Sequence, residues 1–138
     1  MGKNAHLESY ACLFLFYVFL FYFEVRILPF SLDKNILLEN MNKPIDFYTG
    51  KELQPDDISV DHVIPWSFMY SDDIWNLVIT SKSKNSSKSN SVVNEAYIKK
   101  LKDRNTELIN YTDEHYKLEL LEANENMFID KYYFQFKV

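Results

Sequence analysis

Asp61 and His62 stand side by side, Asn76 follows beyond a proline-containing loop, and Asn85 and Lys88 lie in a Ser/Lys-rich segment just after it. Residues of these types could hydrolyse a phosphodiester. Such a substrate is anionic, so attack on it needs charge neutralisation, an activated water and a stabilised leaving oxygen. A carboxylate and an amide oxygen are hard donors suited to Mg²⁺ or Mn²⁺. Few protein ligands suffice, because Mg²⁺ retains waters and takes phosphate oxygens. A neutral imidazole titrating near pH 7 is a natural base for water. Read singly, each residue also has an ordinary explanation. The Asp-His pair could be a surface pair, Asn85 a helix cap, Lys88 a solvated lysine and Asn76 a turn cap. His6 and His115 belong to no constellation, and Trp66, Phe68 and Trp75 read as core or loop packing rather than base-stacking platforms.

The elements that must position these groups are short. Ile58-Ser59-Val60 is β-branched and alternating, so it predicts a strand ending at Asp61-His62. In a regular strand His62 would face away from Asp61 unless the backbone turns there. Pro65 and Ser71-Asp72-Asp73 mark a long loop, Trp75 to Thr80 predicts a second strand, and Asn85 to Ser91 resembles a helix start. Around this centre, Leu32 to Met41 has helical spacing between Pro29 and Pro44, and Gly50 marks a tight turn. Val92 to Ile109 and Asp113 to Glu125 predict two further helices. The aromatic tail Met127 to Val138 is open between helix and strand.

Taken together, Asp61-His62-Val63-Ile64-Pro65, Asn76-Leu77-Val78 and Lys84-Asn85 with Lys88-Ser89 resemble the HNH nuclease motif. The resemblance implies an α+β fold with a ββα-metal (His-Me finger) core and additional flanking α-helices. It implies His62, Asp61, Asn76 and Asn85 as the catalytic set, with His62 as general base and Asp61 and Asn85 as ligands of Mg²⁺ or Mn²⁺. It further implies that Asn76 fastens the loop and that Lys88 makes a phosphate or structural contact. The segment is similar both to restriction-type HNH proteins and to the HNH domain of RNA-guided CRISPR effector nucleases, and the likeness covers Phe47 to Leu108. Many relatives hold a structural zinc with two Cys-x-x-Cys pairs. Here Phe47-Tyr48-Thr49-Gly50 and Ser81-Lys82-Ser83-Lys84 occupy those places without cysteine. No structural zinc is expected, and the finger is left to packing alone.

The 138-residue chain carries a net charge of −5, yet Ser81 to Arg104 is locally basic through Lys82, Lys84, Lys88, Lys99, Lys100, Lys102 and Arg104. Beside a metal site this predicts a phosphate-binding face, with Lys82, Lys84, Lys88 and Lys99 as nucleic-acid contacts and DNA as partner, RNA being left open. Two glycines exclude a glycine-rich phosphate cradle, and the single Cys12 excludes an internal disulfide and a cysteine-ligated zinc. The cysteine usage fits a reducing compartment, and a cytoplasmic location is expected. The uncharged run Tyr10 to Phe23 is short for a bilayer, so a membrane partner is disfavoured though not excluded. The expected organisation is an apolar helical segment over 1–40, an HNH nuclease domain over 41–110 and a helical extension over 111–138. The competing reading is a non-catalytic nucleic-acid-binding or scaffold module that keeps an HNH-like finger. Oligomeric state is not legible from sequence.

Overall fold

The computed structural model describes residues 30–39 and 41–135 of the chain. From Ser31 on, the chain forms one compact unit. The run Tyr10 to Phe23, and with it most of the segment expected over 1–40, lies outside the described residues. No helix among the described residues is long and apolar enough to cross a membrane.

The first described element is helix α1, Phe30–Leu38. Strand β1, Ile58–His62, leads through the short helix α2, Trp66–Met69, and a 3-10 turn over Ile74–Asn76 to strand β2, Leu77–Ser81. Helix α3, Lys82–Lys88, follows without a break. Three longer helices complete the chain: α4 over Glu95–Leu108, α5 over Glu114–Glu125 and α6 over Phe128–Gln135. The two strands pair antiparallel, Ile58 opposite Ser81 through to His62 opposite Leu77. With α3 they make the ββα unit of an α+β fold.

The strands form where β-branched residues can be buried. Val60 lies opposite Ile79, and Leu77, Val78, Ile79 and Thr80 are all buried. The second strand begins at Leu77 rather than Trp75, because Ile74 to Asn76 coil into the 3-10 turn, closed by the Asn76 N–H on Asp73 O. Helix α3 begins at Lys82 rather than near Asn85. Ser81 is its cap: the hydroxyl accepts from the Lys84 N–H at 3.2 Å. Asn85 is therefore no cap but sits mid-helix.

The outer helices obey their own signals. Asn94 caps α4, which turns Ile98, Leu101, Asn105 and Leu108 inward at helical spacing. Asp113 caps α5 through the His115 and Tyr116 N–H groups. In the aromatic tail Phe128–Gln135 is a helix, whose Ile129 and Tyr133 join Leu120 and Ala123 in the same core as Val60 and Leu77. Trp75 is buried and stacks on Tyr132 with ring centroids 6.2 Å apart.

A polar clasp holds the two cysteine-free turns together, so packing is not their sole restraint. Asp46 is buried, and its Oδ1 accepts from the N–H groups of Tyr48 and Thr49 at 2.8 and 2.9 Å. Its Oδ2 accepts from the Thr80 hydroxyl at 3.0 Å and the Ser81 N–H at 2.9 Å. One carboxylate thus ties the turn before β1 to the junction of β2 and α3. Burial by itself would raise the Asp46 pKa, but the hydrogen bonds from Thr49, Ser81, Thr80 and Tyr48 together bring it below the ordinary 3.8. A carboxyl lowered on folding adds stability above its unfolded pKa and loses it as pH falls through the folded value. Acid should therefore open this clasp only below about pH 4. Asp46→Ala strands four donors and is expected to cost about 3–4 kcal/mol, on the order of 15 °C in Tm. Thermal melts at pH 7 and pH 3 check this: the gap between wild type and variant should narrow at the lower pH.

Candidate active site

Strand β1 and helix α3 lie against each other with their polar side chains interleaved. Ser59 and Asp61 alternate to one face of the strand, and Asn85 and Lys88 share one face of the helix. The Asn85 amide nitrogen donates to Ser59 Oγ at 2.8 Å and to Val60 O at 3.0 Å. A carbonyl can only accept, so the nitrogen must face the strand and Oδ1 must face away. One turn further on, Lys88 Nζ donates to His62 O at 2.6 Å and lies 3.2 Å from Asp61 Oδ2. That same Oδ2 accepts from the Tyr48 hydroxyl at 2.6 Å. Burial above all, and then the negative charge of Asp61, push the Tyr48 pKa far up, so the phenol stays a neutral donor.

Each of the two oxygen-bearing groups thus keeps one oxygen in reserve. Asp61 Oδ1 and Asn85 Oδ1 accept no hydrogen bond among the described residues, and neither is among the sealed, unpaired polar atoms. A hard divalent cation fits such a donor pair, completing its shell with water and phosphate oxygens. Among the described residues no group of three or more His, Cys, Asp or Glu side chains could hold a metal ion.

His62 ends β1. Its Nε2 lies 2.8 Å from Asp72 Oδ1, on a loop that is half exposed. An ionised carboxylate only accepts, so Nε2 carries the proton in the neutral ring, and Nδ1 is left as the basic nitrogen. The loop that brings Asp72 back is closed at its base by Asn76. The Asn76 side chain is fully buried; its Oδ1 accepts from Ile64 N–H and its Nδ2 donates to Ile64 O, both at 2.8 Å. The Val63 N–H to Asn76 O bond, 2.9 Å, reinforces the closure.

With this geometry in view, residues 46–93 match the family described as HNH endonuclease. Over that stretch the chain is similar to the HNH endonucleases. A stretch of 60 residues, 41% of the chain, is 40% identical to the CRISPR-associated endonuclease Cas9 of Streptococcus mutans. The chain spans only 4% of the length of that relative.

The HNH segment starts at the Asp46 clasp and ends at Val93, just before α4. Helix α4 supports it from outside. Tyr97 OH donates to Tyr48 O at 3.3 Å, Lys100 donates to Phe47 O, and Asn105 donates to Trp75 O at 3.0 Å. Among the lysines singled out from sequence, Lys82 and Lys84 sit on the outer part of α3, and the Lys84 ammonium lies 5.8 Å from the Tyr48 ring centroid. Lys99 is exposed on α4 and paired with Asp103 at 2.7 Å. Lys88 is turned inward, as its contacts with Asp61 and His62 O require. Much of the remaining basic stripe is engaged: Lys102 pairs with Asp130, and half-buried Arg104, its pKa lowered to about 9 by desolvation of the guanidinium, donates to Trp75 O at 3.2 Å.

Sequence reasoning missed three contributors to the HNH centre: Tyr48, Asp46 and Asp72. Asp72 stood in a turn signal, and no spacing rule marks a turn aspartate as the partner of a histidine ten residues earlier. The i, i+3 spacing of Asn85 and Lys88 was a usable signal that both face one strand.

Proposed function

We propose that this HNH protein is a divalent-metal-dependent endonuclease that hydrolyses DNA phosphodiester bonds, with His62 as general base and Asp61 and Asn85 as ligands of one Mg²⁺ or Mn²⁺. The observation that carries this reading is the pair of reserved oxygens on Asp61 and Asn85, on a strand and a helix joined through the Asn85 amide, with His62 ending that strand and its Nδ1 unspent. The bound ion would neutralise the scissile phosphate and stabilise the leaving oxygen. His62 Nδ1 takes a proton from the attacking water, and Asp72 at Nε2 orients the ring and stabilises the imidazolium that forms. Tyr48 and Lys88 hold Asp61 Oδ2, which fixes the direction in which Oδ1 points. Lys82, Lys84 and Lys99 supply phosphate contacts that carry affinity and no sequence information.

The test is conversion of supercoiled plasmid to nicked circles by the full chain. Cleavage is expected with Mg²⁺ or Mn²⁺ and should vanish with EDTA, while the circular dichroism spectrum is unchanged. A second reading, a nucleic-acid-binding module that does not cut, is favoured by one contact. The Lys88 ammonium, 3.2 Å from Asp61 Oδ2, already neutralises the carboxylate that a metal would need. Salt-sensitive DNA binding with no metal-dependent nicking would select that reading.

A further inference from the structure

The loop between the strands presents two large aromatic side chains to solvent. Trp66 is 47% exposed and Tyr70 68% exposed, although packing was the expectation for Trp66. Their rings meet edge to face, with centroids 5.2 Å apart. The pair spans the four-residue helix α2, whose last turn is closed by the Tyr70 N–H on Trp66 O at 2.8 Å. Tyr70 adopts φ 53°, in the left-handed region that a bulky residue rarely occupies. The loop is rigid at its base, where Asn76 locks onto both backbone groups of Ile64, and its far limb carries Asp72 to His62. Two half-open aromatic faces are therefore fixed on the loop that orients the imidazole, between His62 and Asp72 in the chain.

We infer that Trp66 and Tyr70 form a stacking platform for an unpaired nucleobase next to the phosphodiester at His62. This inference rests on the nuclease reading and adds a substrate class to it: a strand whose base is free to leave its stack. Aromatic side chains accept any base face, and each stacked base contributes appreciably to binding. Lysine contacts to phosphate cannot distinguish a strand with bases from one without. The aromatic pair can, and that difference is the property to measure.

The experiment compares two oligodeoxynucleotides of equal length and charge in EDTA, a thymidine 12-mer and the same backbone with abasic sites. Binding is followed by fluorescence anisotropy of a 5′ dye. The full chain should bind the base-bearing strand roughly tenfold more tightly. Trp66→Ala should erase that preference, and Trp66→Phe should restore most of it; both positions are solvent-facing, and matching melting temperatures verify the fold. Equal, salt-sensitive binding of the two strands by wild type would overturn the platform and leave the nuclease reading standing. Absence of binding to either strand would likewise overturn the platform, and the plasmid assay alone would then decide the nuclease reading.

Discussion

His62→Ala is expected to lower metal-dependent nicking by roughly 10²–10⁴-fold, the usual contribution of a positioned general base. The loss should appear in single-turnover rates with saturating enzyme, because His62 has no role in holding the strand. DNA affinity in EDTA should be unchanged within a factor of two or so. Folding should also survive, since among the described residues the His62 side chain is bonded only to Asp72 on an exposed loop, and its backbone carbonyl still accepts from Lys88. Asp72→Asn should give a smaller loss of the same kind, because the ring stays in place while its orientation and the stabilisation of its charged form weaken. Unaltered turnover in His62→Ala would remove the imidazole from the chemistry.

The second large effect concerns Asp61 and combines stability with activity. Asp61 and Lys88 are both buried and oppositely charged. Breaking a buried pair from one side leaves an uncompensated charge and costs about 3–5 kcal/mol. Asp61→Asn should therefore both abolish nicking and lower the midpoint of urea unfolding. Adding Lys88→Met to that variant should recover most of the stability, because the stranded ammonium is gone, but none of the cleavage. Additive losses in the double variant would show that the two side chains are not energetically coupled. A double variant that nicks DNA would show that Asp61 is no metal ligand.

The fold was largely legible because its signals are local. Alternation and β-branching marked β1, the apolar run Leu77 to Ile79 marked β2, and apolar residues over Val92 to Ile109 and Asp113 to Glu125 marked α4 and α5, whose caps Asn94 and Asp113 the structure adds. Errors fell where one residue overrides its neighbours. Helix α3 is built of Lys, Ser and Asn with no apolar residue, so periodicity was silent about its start. The Ser81 cap and the packing of Asn85 on β1 decide it. The tail could not be assigned from its aromatics alone; burial of Ile129 and Tyr133 against α5 makes it a helix.

Asp61, His62, Asn76 and Asn85 were readable because their order and spacing follow a pattern. The groups that orient them were not. Asp46 reaches Ser81 across 35 positions, and Tyr48 reaches Asp61 across 13, through contacts that exist only after the strands pair. Lys88 looked like one more surface cation in a basic run. Only the helix geometry turns it inward, where it contacts His62 O and Asp61.

Crystals of the full chain soaked in Mn²⁺ and measured at the manganese absorption edge bear most directly on the proposed cleavage chemistry. The expected result is one anomalous peak bonded to Asp61 Oδ1 and Asn85 Oδ1, with His62 Nδ1 facing it across the width of a water molecule. A peak elsewhere in the molecule, with Asp61 bonded only to Tyr48 and Lys88, would contradict it.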